Sequence, residues 1–177
     1  GAGRAALADI AAARLVFCAG SGNFHDGYMF SVGFLWSVVI LAARLRGTPV
    51  VMLGQQVGAF NKALPRSIAR VALSRVSFLG VREAVSFDTA RTLGIAPPRL
   101  RFTGDEGWYL PPSPDADVAA WLAREGLADG FIAVQMRLDG NSPFHADLPA
   151  VAKACDALVA RTGRSLLLVP FSYADRD

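Results

Sequence analysis

Short apolar runs alternate with longer stretches of helical periodicity along this chain. Arg14–Cys18 reads as a strand and runs into a glycine-containing loop. Tyr28–Arg46 has the character of a buried helix closed by Gly47, since a glycine just past a helix reaches the left-handed conformation at no steric cost. Thr48-Pro49 opens a second strand, Val50–Leu53, apolar on both faces, and the loop Gly54–Asn61 follows. Pro65–Ser74 predicts a helix with Pro65 in its first turn, where a missing N–H costs nothing. Val76–Val81 is a third strand, Glu83–Leu93 a helix ended by Gly94, and Arg99–Thr103 a fourth strand.

This order of strands and helices, with strands apolar on both faces, predicts an α/β fold built on a parallel sheet covered by helices. Right-handed crossovers bring the post-strand loops to one edge of such a sheet. Those loops are Ala19–Gly27, Gly54–Asn61, Arg82–Ser86 and Gly104–Leu110, and the chain's glycines and polar residues gather in them. Ligands of open α/β sheets bind at that carboxyl edge.

Leu110-Pro-Pro-Ser-Pro then predicts a stiff, extended linker. A helix over Asp117–Glu125, a strand at Phe131–Met136, a helix over His145–Thr162 and a strand at Leu166–Val169 begin a second α/β unit. The expected organisation is a Rossmann-like domain over residues 1–110, a linker at 111–116 and the start of another Rossmann-like domain at 117–177.

Composition narrows the picture. The 177 residues are 53% hydrophobic and 19% charged, which suits a packed core and excludes a disordered chain. The net charge of +3 is spread over separate arginines rather than a basic stripe with interleaved aromatics, so nucleic acid is not an expected partner. Anionic small molecules remain compatible with it. Gly27–Ala43 is the longest uncharged run, but it falls short of the roughly 20 apolar residues that span a bilayer. Cys18 and Cys155 have no metal-ligand spacing and read as buried free thiols.

The candidate chemistry lies in the post-strand loops. Gly20-Ser21-Gly22-Asn23 places small residues after a strand, where a phosphate or sugar can approach backbone N–H groups, although neither a dinucleotide fingerprint nor a P-loop is complete. A tight strand-to-helix turn explains it equally well. His25 reads equally as a polar loop residue or a proton-transfer group, and Asp26 better as a helix N-cap. Gln55 and Gln56, between Gly54 and Gly58, offer amides suited to sugar hydroxyls. Arg82 follows a strand directly, and its guanidinium fits a carboxylate or phosphate better than a surface pair with Glu83 or a helix-start charge; Glu83 and Ser86 come next. Asp105 and Arg137 hold the corresponding positions after later strands, and Asp139 and His145 accompany Arg137, with His145 reading better as a polar residue at a helix start.

Taken together, these loops resemble the polysaccharide pyruvyl transferase family. That family carries Gly-Gly-Gly-Asn, Gly-Gln-Gly-x-Gly-Pro, Val-Arg-Asp-x-x-Ser and a Gly-Asp or Ala-Asp step, in that order. Here the matching segments are Gly20-Ser21-Gly22-Asn23, Gly54-Gln55-Gln56-Val57-Gly58-Ala59, Val81-Arg82-Glu83-Ala84-Val85-Ser86 and Thr103-Gly104-Asp105. Ser21 and Gln56 stand where the family has glycines, Ala59 replaces a proline and Glu83 an aspartate.

The resemblance implies a two-domain architecture like that of the GT-B glycosyltransferases, with the site in the cleft. It also implies transfer of pyruvyl from phosphoenolpyruvate to a nucleotide- or lipid-linked sugar, or to a polysaccharide, as a ketal. On that reading no metal or further cofactor is needed. Arg82 and Arg137 would clamp the donor's charges and His25 would move a proton. Gly20, Ser21, Gly22, Asn23, Gln55, Gln56, Gly58, Glu83, Ser86 and Asp105 would shape the substrate site. The expected location is cytoplasmic, at most peripheral to the inner face of the membrane. The family's opening strands and a later Arg-Leu-His segment would lie outside Gly1–Asp177, so the chain reads as truncated at both ends and its activity by itself is in question. A glycosyltransferase using a nucleotide sugar, and a non-catalytic sugar- or nucleotide-binding domain, are the alternative readings.

Overall fold

The computed structural model describes residues 5, 8–10, 12–136 and 147–170. The chain divides into two compact units, Gly1–Leu110 and Pro111–Asp177.

The first unit is built on a parallel sheet. Its strands are β1 (Val16–Cys18), β2 (Ser21–Phe24), β3 (Val50–Val57), β4 (Phe78–Val81) and β5 (Leu100–Phe102). A π-helical turn, Met29–Gly33, leads into helix α1 (Phe34–Leu45); α2 (Ala63–Leu73) and α3 (Ala84–Thr92) follow the next two strands. The sheet runs β1-β3-β4-β5, every pairing parallel, with β2 also on β3. The parallel α/β arrangement expected of a Rossmann-like fold is therefore present.

Two segments differ from the sequence expectation. Ser21–Phe24, expected as loop, is a strand: β1 pairs with the first half of β3 (Val16 with Val50) and β2 with its second half (Ser21 with Gln55). The break between them is Ala19-Gly20, where Gly20 has φ of +33°. Gly54-Gln55-Gln56-Val57, also expected as loop, continues β3. Here partner-strand pairing overrides the weak strand propensity of glycine and glutamine.

The helix ends follow their sequence signals. Gly47 (φ +77°) and Gly94 (φ +87°) close α1 and α3. The amide after each donates back into the helix, Thr48 to the Ala43 carbonyl at 2.9 Å and Ile95 to that of Ala90 at 3.1 Å. Pro65 lies in the first turn of α2 and is buried. Asp26 is not the cap of the first helix: Tyr28 takes that position, and Asp26 Oδ2 instead accepts the Asn61 amide at 2.6 Å.

The core lies between the central strands and the helices. Phe24, Met29, Ile40, Met52, Leu73, Leu79 and Leu100 are buried within it. Burial on both faces is confined to the middle of the sheet, since Phe17 of β1 and Phe102 of β5 are exposed. These are the outer strands of the described sheet, where only one neighbour covers each.

The second unit has helix α4 (Asp115–Arg124), strand β6 (Phe131–Met136), helix α5 (Leu148–Thr162) and strand β7 (Ser165–Pro170). β6 and β7 pair in parallel, Phe131 with Ser165 through Met136 with Pro170. Gly163 at φ +64° ends α5.

Candidate functional site

The carboxyl ends of β1 to β5 collect a polar network whose anchor is Arg82, directly after β4. Its Nη1 donates to Asp105 Oδ2 at 3.1 Å and its Nη2 to Gln56 Oε1 at 2.9 Å. Gln56 lies on β3 and Asp105 in the turn after β5, so two separate segments hold the guanidinium. Arginine carries five N–H donors, and these bonds occupy two. The remainder can meet an anion. The Arg82 and Asp105 side chains are 31% and 43% exposed, so their ion pair orients the arginine more than it stabilises the fold.

Asp105 is itself held by its own turn. Its Oδ1 accepts the Gly107 amide at 3.0 Å, capping the 3₁₀ turn Glu106–Tyr109. The next residue, Glu106, is a site residue the sequence reading missed. Its Oε2 accepts the Gly20 amide at 3.1 Å, and that amide also points at the Leu53 carbonyl at 3.0 Å. A Cβ at Gly54 would overlap the Glu106 carboxylate. The glycines at 20 and 54 thus leave room for a carboxylate against backbone. The signal was present in the sequence as a second acid immediately after Asp105.

The two glutamines separate in role. Gln56 is half-buried and faces Arg82. Gln55 was expected to offer its amide to a sugar, but it is fully buried. It accepts the Ser21 hydroxyl at 2.5 Å and donates to the Leu53 carbonyl at 2.7 Å, tying β2 to β3. Ser21 is therefore spent on the same tie. Ser86 is likewise buried and sits within the scaffold: its hydroxyl accepts the Val57 amide at 2.8 Å and donates to Glu83 Oε1 at 2.8 Å. Glu83 flanks the start of α3 and holds Ser86.

Gly22 clears space for the arginine's partner, since a Cβ there would lie 3.0 Å from Gln56 Oε1. Gly58 serves packing: it is buried, at φ +100°, and a Cβ would lie 3.0 Å from Thr89 of α3. Asn23 is half-buried on β2, and its side chain makes no hydrogen bond among the described residues. His25 ends β2. Its Nδ1 accepts the Gly27 amide at 3.1 Å and its ring meets the Tyr28 ring edge-on at 4.9 Å. It shares no hydrogen bond with Arg82, Asp105 or Glu106. Arg137, Asp139 and His145 lie outside the described residues.

Cys18 is buried beneath this network at the end of β1. Burial raises its thiol pKa above the ordinary value and Glu106 raises it further, outweighing the hydrogen bonds from Ser21 and Gln55. Such a thiol stays protonated and is a poor nucleophile. Among the described residues, no three His, Cys, Asp or Glu side chains gather as metal ligands would, and no helix is long and apolar enough to cross a membrane.

A family model described as polysaccharide pyruvyl transferase matches residues 4–177. The chain belongs to that family. A search of curated proteins returned no match, and neither did a search of solved structures. As a member of a transferase family, the chain has an expected acceptor that is a sugar or polysaccharide.

Proposed function

We propose that the protein this chain represents transfers a pyruvyl group from phosphoenolpyruvate to two hydroxyls of a sugar, forming a ketal and releasing phosphate. The observation that carries this reading is Arg82, held at the sheet's carboxyl edge by Gln56 and Asp105 with donors to spare. Phosphoenolpyruvate presents a carboxylate and a phosphate on adjacent positions. A forked guanidinium recognises either one through paired hydrogen bonds.

The reaction needs a proton delivered to the methylene carbon of the donor. The neighbouring carbon then takes up the first sugar hydroxyl, phosphate departs and the second hydroxyl closes the ketal. Cationic groups stabilise the charge as phosphate leaves. In this proposal Arg82 and Arg137 hold the donor's charges, and His25, at the end of β2, moves the proton. Gly20, Gly22, Asn23 and Gln56 border the acceptor's path, while Gln55, Ser21, Ser86 and Glu83 hold that border in shape. A second domain of similar fold would complete a cleft of the GT-B kind. A lipid-linked acceptor would keep the protein at the inner face of the membrane.

The test uses the full-length protein. Phosphate release from phosphoenolpyruvate is followed with a panel of nucleotide- and lipid-linked sugars. Sugar-dependent release that Arg82→Ala abolishes is the expected result. Transfer from a nucleotide sugar, with no release from phosphoenolpyruvate under any acceptor, would overturn the reading.

A further inference from the structure

Helix α1 is apolar on the side that faces away from the core. Ile40 and Ala43 pack inward, yet Phe34, Leu35, Val38 and Leu45 on the opposite side are 52%, 61%, 43% and 86% exposed. A globular surface helix normally carries polar residues there. The neighbouring helix α2 extends the apolar surface with Leu64 and Val71, 61% and 46% exposed. Between the two helices lies a groove of about 290 Å³, lined by Phe34, Val38, Leu41, Ile68 and Val71 together with Ser37 and Ser67. Phe30 and Val32, on the π-helical turn that leads into α1, are exposed as well. A contiguous apolar patch of this kind marks an interaction surface.

The charges around it identify the partner. From Gly27 to Val81 the sequence has no Asp or Glu, but it carries Arg44, Arg46, Lys62, Arg66, Arg70 and Arg75. Arg44 and Arg46 stand at the end of α1, Lys62 just before α2, and Arg66 and Arg70 on α2. None of these cations makes an ion pair among the described residues. Helical spacing puts Arg66 and Arg70 on the flank of α2 away from the groove, with Ser67 and Val71 turned outward between them and α1.

We infer that the outer face of α1 and α2 docks on an anionic lipid surface. Phe34, Leu35, Val38 and Leu45 enter the headgroup–acyl boundary, and Arg44, Arg46, Lys62, Arg66 and Arg70 meet lipid phosphates around them. Apolar insertion with a cationic rim is the physical signature of peripheral membrane binding. At 12 residues α1 is about 18 Å long, too short to cross a bilayer, so it lies on the surface. A second copy of the chain fits this face poorly. A two-fold interface would set the same cations against each other with no acid on either helix to answer them. The inference stands apart from the pyruvyl reading, and its test reads lipid binding alone.

The experiment is sedimentation of the full-length protein with vesicles of phosphatidylcholine alone or mixed with phosphatidylglycerol. Binding is expected only with phosphatidylglycerol, and it should weaken steeply as NaCl rises from about 0.05 to about 0.5 M. Leu35→Asp combined with Leu45→Asp should lower partitioning at least tenfold. Both side chains are exposed, so folding should survive. Arg66→Gln and Arg70→Gln should each lower it about fivefold. Absence of binding above the phosphatidylcholine background overturns the inference. So does binding indifferent to Leu35→Asp and Leu45→Asp, or a dimer that these substitutions dissociate. A Leu45→Cys variant that resists a thiol reagent in the full-length protein, showing the face already covered, overturns it as well.

Discussion

The two units of this chain use the same alphabet of parallel strands and helices, yet they bury side chains very differently. In the first, four strands meet β3 or its neighbours and the helices bury Phe24, Ile40, Leu73 and Leu79 completely. In the second, neither α4 nor α5 has a buried residue, and Leu127 is the buried hydrophobic among its described residues. The contrast teaches that a strand pattern is not yet a core. Two strands cover one another along their edges only, whereas a central strand such as β3 has neighbours on both sides and helices above it. The candidate site lies at the carboxyl edge of this buried sheet, where Gln56 and Asp105 hold Arg82.

Truncations in the two units give the sharpest test of this contrast. Phe24→Ala should cost about 3–5 kcal/mol, because the ring is fully enclosed and leaves a cavity. Leu168→Ala on β7, at a residue 67% exposed, should cost about 0.5 kcal/mol or less. Urea unfolding of this 177-residue chain measures both, and equal losses would break the comparison. Next in size is Gln55→Leu. It removes the tie between β2 and β3 and leaves the Ser21 hydroxyl without its acceptor, at about 1–3 kcal/mol. Its effect should fall on stability, whereas Gln56→Leu should spare stability and raise KM for the anionic donor. Reversal of those two outcomes would show the roles assigned to the glutamines to be exchanged.

Smaller again is Asp105→Asn. Because the pair is partly exposed, its stability cost should stay within about 1 kcal/mol, checked by the same unfolding curves. The smallest effect concerns Cys18. Its pKa is raised in the folded state, so the folded protein holds that proton more tightly than the unfolded chain. Its contribution to stability is therefore complete below the unfolded thiol's pKa, about 8.5, and is lost as pH rises above it. Cys18→Ala should flatten that alkaline decline. Thiol alkylation at neutral pH should reach the half-buried Cys155 well before Cys18.

Much of the fold was legible in the sequence. Alternation of apolar runs with helical stretches located β1, β3, β4 and β5, and Gly47, Gly94 and Pro65 placed helix boundaries, because these signals are local. The path of β2 was not legible. Ser21-Gly22-Asn23 has little strand propensity, and only pairing with the far half of β3 makes it extended. The same long-range pairing turned Gly54–Val57 from loop to strand and drove Gln55 inward. At the candidate site, Arg82 was legible from its place directly after a strand and Asp105 from the loop that follows the next one. Their union was not, and neither was the turn that brings Glu106 back to Gly20, since these depend on which strands are neighbours.

The meeting of Glu106 with Gly20 and Gly54 also constrains how this sequence can change over generations. A methyl group at position 54 evicts the carboxylate, so the site can lose Glu106 first and Gly54 afterwards more readily than in the other order. The left-handed backbone at Gly54, φ +57°, adds its own toll whichever step comes first. Substitutions at 54 and 106 are consequently epistatic: the harm of the first depends on whether the second has already happened. Homologous sequences should vary at these two positions together, and a lineage that has shortened Glu106 is the one free to explore position 54.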